Sequence, residues 1–319
     1  MVIKLFKDFF YFYFMFKNCD YVVMGSNVLD ETVELGEKFS DVNLGDKIRV
    51  SEDFKKTIGG GGVNISIALA RLGAKVDYLG KHSFDSYQLV KEDLRANRVG
   101  VVESKISDVG CAKSVILDTE DSDRVIFTFR GQNSLLKITD FNVESFKSNF
   151  YYLTSLQGES FKTQLKFVDL VRKRNPDAVF CYGASSSLVG KEPKLLNLVK
   201  KCDIIILNLD EARILSGKYL MTDCLKKIYS FGLSLIVVTD GKNGSYVFDG
   251  NEIYFSKCLS SKVVDATGAG DCYGGTFFYF YSKGYSIKDA MKFASRNAAS
   301  VVSKKGAHLG LLDFKSLVK

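Results

Sequence analysis

The sequence predicts an α/β protein: three layers, α/β/α, around a mostly parallel central sheet, with a small β-sheet lid added. Three observations carry that expectation. From about residue 150, uninterrupted apolar segments at 150–153, 178–182, 204–207 and 235–238 alternate with helical stretches at 161–174, 192–200 and 223–231. Strands that are apolar throughout imply a parallel sheet covered by helices on each face. Two glycine-rich segments each lead directly into an apolar helix. Finally, strands around 29–52 and 112–130 do not fit the alternation, and such strands can form a separate small sheet over one end of the domain.

The elements follow in order. Tyr21-Val-Val-Met24 is a short apolar strand that stops at Gly25-Ser-Asn27, and strand-like pieces run on to about Val50 with polar breaks at 36–38 and 45–47. After Gly59-Gly-Gly-Gly62, residues 63–72 read as a helix closed by Gly73 at its C-terminal cap. Residues 76–79 are a strand, 89–96 a helix, and 113–118 with 125–129 a hairpin. Beyond the four buried strands, 244–248, 252–255 and 262–264 form a short meander, and two helices, 270–283 and 287–303, end the pattern.

Composition bounds the function. With 46% hydrophobic and 25% charged residues, the 319-residue chain has ample material for a buried core. The net charge of +7 is modest, with Lys and Glu interleaved, so the concentrated basic stripe of a nucleic-acid binder is missing. The cysteines at 19, 111, 181, 202, 224, 258 and 272 contain no C-x-x-C pair and have only His82 and His308 for company. That argues against a disulfide framework and a structural zinc, and for a reducing cytoplasm. The aromatic run Phe9-Phe-Tyr-Phe-Tyr-Phe14 is too short to span a bilayer, which takes about 20 apolar residues. Two readings of residues 1–18 follow, a membrane-surface or partner-binding tail or an extension outside the fold; the second is preferred because Met15-Phe-Lys-Asn-Cys-Asp20 leads directly into a strand, and 19–319 read as one domain.

In Asp265-Ala-Thr-Gly-Ala-Gly-Asp271 a strand gives way to small residues and then to an apolar helix. Backbone N–H groups at Gly268, Ala269, Gly270 and Asp271 at such a helix N-terminus can surround an anion. A carboxylate at the end of that nest makes sense if a hydroxyl sits between it and the anion, with Asp271 as base and the amides stabilising a transferring phosphoryl group. The bland alternative is an N-cap Asp on a glycine-packed helix, and the stretch alone leaves the two readings even. The second cluster, Gly59–Gly62 with Asn64, can hold a phosphate or bring backbone close to a polyhydroxyl ligand, unless it is only a hinge. No G-x-x-x-x-G-K-[ST] occurs and no complete G-x-G-x-x-G follows a strand, so P-loop and dinucleotide readings lose ground.

Together, Gly59-Gly-Gly-Gly-Val-Asn64 and Asp265-Ala-Thr-Gly-Ala-Gly-Asp271 resemble, in order and separation, the two signature motifs of the ribokinase (PfkB-type) carbohydrate-kinase family. The resemblance covers the chain from about Tyr21 to its end. It implies a ribokinase-like fold, ATP as phosphate donor, Mg²⁺, and a sugar hydroxyl as acceptor. It places Asn27, Asp30, Gly60, Gly61 and Asn64 on the substrate side. Asn208-Leu-Asp-Glu211 resembles the N-x-x-E motif that supports magnesium and the phosphates, with Glu211 acting partly through water. Thr239-Asp-Gly241-Lys-Asn-Gly244 resembles the loop lying along ATP, and Asn297 matches an adenine-side position. Asp265 and Thr267, with the 304–307 region, match a monovalent-cation site, so K⁺ is an expectation, as is a homodimer through the lid strands.

One departure stands out. Where the family shows G-x-D-x-x-G after Gly80, this chain has His82 and Asp85; His82 is expected at the surface. The acceptor is the least legible part. In 124–130 the alternation puts Arg124, Ile126, Thr128 and Arg130 on one face, where an Arg can clamp a carboxylate or phosphate of an acidic sugar. A solvated lid face is the preferred reading and a neutral sugar the default acceptor. A nucleoside kinase and a non-catalytic sugar-binding regulator are the rivals.

Overall fold

Residues 19–43, 45–48, 50, 54–119 and 124–319 are described by the computed structural model; the aromatic run at the start of the chain lies outside them. The central sheet holds, in chain order, β1 (Tyr21–Met24), β4 (Val76–Leu79), β5 (Gly100–Val101), β8 (Phe150–Thr154), β9 (Val179–Gly183), β10 (Ile204–Asn208), β11 (Leu235–Thr239), β12 (Ser245–Phe248) and β13 (Ile253–Ser256). Their spatial order is β13-β12-β11-β10-β9-β8-β1-β4-β5. Strands β11 through β5 run parallel, and only β12 and β13 are antiparallel.

Each central strand is apolar on both sides because each side meets helices. Alternate residues divide between two cores. Tyr21, Val23, Tyr152, Ile206 and Val237 pack on one face with α1 (Gly61–Arg71), α7 (Ala269–Ser282) and α8 (Ile287–Val301). Val22, Met24, Leu153, Leu207 and Val238 pack on the other with α3 (Gly158–Arg174), α4 (Leu195–Val199) and α6 (Met221–Tyr229). Period-two side-chain direction thus builds the three layers from strands that look uniformly hydrophobic. The remaining helices are α2 (Tyr87–Ala96), α5 (Leu209–Ser216) and α9 (Phe314–Val318).

A separate four-stranded sheet, ordered β3-β2-β6-β7, contains β2 (Val28–Leu35), β3 (Lys55–Gly59), β6 (Lys113–Thr119) and β7 (Arg124–Phe129). Its register aligns Thr57, Asp30, Ser114 and Thr128 in one cross-strand row. The hairpin is as predicted, but the strand joining β2 lies at 55–59, beyond the expected 29–52 window. No strand forms at 262–264 either. There the N–H groups of Val264 and Asp265 both donate to the Val302 carbonyl, at 2.7 and 3.2 Å, which ties the segment to the end of α8 instead of to the sheet.

The link from β1 to the lid explains two further differences from expectation. Asn27 is only 1% exposed, and its carboxamide is fully occupied: Nδ2 donates to the Tyr78 hydroxyl and the Lys81 carbonyl, both at 2.9 Å, while Oδ1 accepts from Gln132 Nε2 at 2.8 Å. Both Nδ2 protons are spent and the side chain is shut off from solvent and from the cavity lining, so Asn27 pins the lid's root to the body and its assignment to the substrate side is corrected. His82 is buried, not at the surface, lying edge-on between the rings of Tyr78 and Tyr87. Burial pushes its pKa down to about 4, so it packs as a neutral ring. The turn's carboxylate comes from Asp85, which accepts from Ser83 Oγ at 2.6 Å and from the Cys111 N–H at 3.0 Å.

Removing the Asn27 carboxamide strands two buried partners, the Lys81 carbonyl and Gln132 Nε2, each costing about 1–3 kcal/mol when left unpaired, while the Tyr78 hydroxyl keeps its bond to the Gly25 carbonyl. Asn27→Ala is expected to lower the denaturation midpoint by several degrees in a thermal melt; an unchanged melt with a weakened KM for the acceptor would restore Asn27 to the binding site.

Candidate active site

A cleft of about 420 Å³ opens at the carboxyl ends of the parallel strands, where open α/β sheets bind ligands. Two helix N-termini meet there, and they are not equivalent. At the start of α1, the N–H groups of Gly62 and Val63 both donate to the Ser26 carbonyl, at 3.1 and 3.3 Å. Those two donors are therefore spent within the protein. This end serves the other expectation, close backbone approach: a side chain on Gly62 would put its Cβ 2.6 Å from the Gly25 carbonyl carbon, and Gly60 and Gly61 line the cleft.

Helix α7 is opened by Gly268, whose φ of +75° and position against Ala307 exclude a side chain. The Ala269 N–H turns back to the Ala266 carbonyl at 3.3 Å, so Ala269 closes the turn and leaves the nest expected at 268–271 narrower. Gly270 and Asp271 line the cleft, where their N–H groups and the helix dipole favour an anion. Asp271 Oδ2 accepts from Asn64 Nδ2 at 2.7 Å. Burial pushes the Asp271 pKa up to about 6; the Asn64 bond works against that shift and the charge of Glu211 adds to it. A carboxyl so poised is suited to proton abstraction near neutral pH.

Across the cleft, Asn208 and Glu211 form a reciprocal cap at the start of α5: Asn208 Oδ1 accepts from the Glu211 N–H at 2.8 Å, and Glu211 Oε2 from the Asn208 N–H at 2.9 Å. The cap and the cleft-facing role coexist, since both residues line the cavity. Glu211 is 6% exposed, and burial raises its pKa despite the backbone bonds. Thr239 also lines the cleft, while Gly241 and Gly244 shape the turn beyond it.

Arg130, at the end of β7, lines the cavity opposite these groups. Asp30 is half-buried at the lid's root; Ser114 donates to it, and it lies against Gly59, where an added Cβ would sit 2.5 Å from Oδ2. Burial raises its pKa. Asp265 joins the two segments expected to act together: Oδ1 accepts from the Thr267 N–H and hydroxyl, at 2.9 and 2.7 Å, and Oδ2 from the Gly306 N–H at 2.9 Å.

Asn297 is corrected. It is fully buried, with Nδ2 on Thr276 Oγ1 at 2.8 Å and Oδ1 accepting from the Leu312 N–H at 2.8 Å, so it braces the loop after α8 and presents nothing to the cleft. Sequence reasoning missed Thr154, the last residue of β8, and Ser185, Ser186 and Ser187, just past β9, which line the cavity. Their signal was available: small polar residues at or directly after the ends of buried parallel strands.

The comparisons with known proteins agree with this geometry. A sequence profile of the pfkB family of carbohydrate kinases matches residues 28–313. A 5-dehydro-2-deoxygluconokinase of Clostridium beijerinckii is 26% identical over 285 residues, covering 83% of this chain and 84% of its own. The enzyme of the same name from Listeria innocua is 27% identical over 295 residues, covering 86% and 90%. In fold, a ribokinase of Thermotoga maritima matches with a TM-score of 0.80 at 20% identity, covering 94% of this chain and 98% of its own. An adenosine kinase of Sinorhizobium meliloti gives 0.78 at 22%, covering 91% and 95%. With two glycine-opened helices at one cleft and a family match over most of its length, the chain belongs to the PfkB family of carbohydrate kinases, phosphotransferases with an alcohol group as acceptor.

Proposed function

We propose that this carbohydrate kinase transfers the γ-phosphate of ATP to a hydroxyl of an acidic sugar, with Asp271 as the base. The observation that carries the reading is the desolvated Asp271 carboxyl at the N-terminus of α7, lining one cleft with Glu211 and Arg130. The acceptor hydroxyl approaches Asp271, which takes its proton as the oxygen attacks the γ-phosphorus; the bond from that phosphorus to the β,γ-bridging oxygen breaks, its electron pair leaves with ADP, and the N–H groups of Gly270 and Asp271 receive the charge on the transferring group. Gly268 supports that turn from behind. ATP lies along Thr239, Gly241 and Gly244, with Asn208 near its phosphates.

Among the described residues no cluster of three or more ligating side chains is present. A single buried Glu211 nevertheless fits magnesium, which keeps its waters and is held largely by the nucleotide's phosphates. Bound there, Mg²⁺ would neutralise phosphate charge. For K⁺, Asp265 and Thr267 hold the 304–307 segment in place so that backbone carbonyls can supply the ligands.

For the acceptor, the sequence alone left a neutral sugar as default and Arg130 on a solvated face. Arg130 lining the cavity favours a carboxylate, and relatives named for a gluconate derivative point the same way. Asp30 and the cleft-lining Gly60 and Gly61 would hold the sugar's hydroxyls, while the Asn64 carboxamide, expected to share that role, is engaged by Asp271 and His308. The free thiols of all seven cysteines suit a cytoplasmic enzyme, and among the described residues no helix is long and apolar enough to cross a membrane. On the lid face opposite Asp30, the exposed Phe127 and Phe129 suit a second copy of the chain.

Asp271→Asn is expected to abolish nearly all turnover while ATP still binds by titration calorimetry; near-normal turnover would sink the assignment of the base. In the parent, kcat/KM should fall about tenfold per pH unit below about 6, the value at which Asp271 takes up its proton. Stability has the opposite sense. An unfolded Asp titrates near 3.9 and the folded one near 6, so the folded state disfavours the carboxylate. That penalty is complete above the folded value, shrinks as pH falls through it, and is gone below the unfolded one. Asp271→Asn should therefore melt a few degrees higher than the parent at pH 8 and show no such gain at pH 3.5.

Arg130→Leu should raise the KM for a sugar acid about tenfold to a hundredfold, the worth of a charge-assisted contact, and leave neutral sugars unaffected. A thermal-shift panel of neutral sugars, sugar acids, sugar phosphates and nucleosides, with an ATP analogue and magnesium, identifies the acceptor class by mass action. Stabilisation by a neutral sugar or a nucleoside alone would refute the acidic one.

A further inference from the structure

The hydrogen bond from Asn64 to Asp271 does not end at Asn64. The other end of that carboxamide, Oδ1, lies 2.7 Å from Nε2 of His308. A carboxamide can place its N–H₂ against an ionised carboxylate only if its oxygen faces the other way, because an oxygen turned toward Asp271 would meet like charge. Oδ1 must therefore face His308, and His308 must present a proton on Nε2. Of the two tautomers of a neutral imidazole, this contact selects the one with its proton on Nε2.

His308 is held for that contact. Two residues before it, the Gly306 N–H donates to Asp265 at 2.9 Å; four residues after it, the Leu312 N–H donates to the buried Asn297 at 2.8 Å. Between them the Leu311 N–H closes onto the His308 carbonyl at 3.2 Å, and Gly310 packs directly on the backbone at Ser300 and Val301. The loop is thus tied to the turn that opens α7 and to the body of α8. It comes from the far end of the chain and meets α1, whose Asn64 is 244 positions away.

We infer that His308 is a positioning residue: by donating to Asn64 Oδ1 it fixes the orientation of that carboxamide, and through it the Asp271 carboxylate. This rests on Asp271 as the base of the proposed reaction. The role requires a donor at this place and no charge, so it distinguishes two substitutions of similar bulk. His308→Leu keeps the volume and loses the donor. His308→Gln loses the ring and keeps a donor.

The expected result is a kcat about tenfold to a hundredfold lower in His308→Leu, the size of effect a misplaced reacting group produces, with the KM for ATP unchanged and most of the kcat restored in His308→Gln. A second readout needs no substrate. The ¹³C resonance of the Asp271 carboxyl, followed against pH, should titrate higher in His308→Leu than in the parent and return toward the parent value in His308→Gln. The titratable groups coupled to Asp271, namely Glu211, Tyr152 and Cys272, stay in place in both variants, so a shift that appears with Leu and reverses with Gln reports the Asn64 bond. If the parent phosphorylates no sugar, the kinase reading fails and the carboxyl titration still decides the role of His308. Leu and Gln variants with equal kcat and equal Asp271 titrations would overturn the inference.

Discussion

The 2.7 Å bond between Asn64 and Asp271 is where the two halves of the molecule meet. It exists because α1 and α7 lie side by side on one face of the sheet, close enough that an added Cβ on Gly275 would come within 3.3 Å of the Ala68 side chain. Each helix begins with glycines that let its N-terminus approach a neighbouring turn: Gly62 against Gly25, and Gly268 against Ala307. A methyl group at either contact would have to displace backbone, and the cleft between the two N-termini would open. The glycines are thus first a packing requirement, and the alignment of Asn64 with Asp271 is its consequence.

Similar sequence at the two helix starts leads to different chemistry, and the difference is settled by hydrogen-bond accounting. The N–H groups of Gly62 and Val63 are consumed by the Ser26 carbonyl, whereas Gly270 and Asp271 begin their helix facing the cleft. The second end turns its first N–H groups to the cleft beside Asp271. Asp271 then occupies a place that is favourable for an anion by dipole and unfavourable by desolvation. That conflict keeps its pKa near neutral. Glu211, a second buried carboxyl in the same cleft, sharpens the conflict, and a bound cation beside it would relieve it.

Much of this was legible in the sequence because it is encoded locally. Parallel strands, helix caps and the turn before Asp271 each occupy a few consecutive residues, and the order of the two glycine motifs fixed the family resemblance. What stayed hidden depends on contacts between distant positions. Asn27 was expected on the substrate side because its segment resembles the family's; its partners at 78, 81 and 132 turn it into a buried brace. Asn297 failed in the same way through Thr276 and Leu312. His82 looked exposed because its segment is polar, but aromatic rings at 78 and 87 close over it. No local pattern in 304–310 distinguishes His308 from a surface loop residue, since its partner lies in the first helix.

The division of labour that results is asymmetric. Groups proposed for phosphoryl transfer, Asp271, Gly270 and Glu211, sit on helix starts packed into the two cores, where backbone geometry leaves little choice of residue. Groups proposed to face the acceptor lie on the lid and on the short connections after β8 and β9: Arg130, Ser155 and Ser185 to Ser187. Those connections carry side chains into the cleft without supporting the cores, so they can change with small cost to folding. A chain built this way can keep its reaction while its acceptor shifts, which is why the reaction is plain in the sequence and the acceptor has to be read from which side chains reach the cleft.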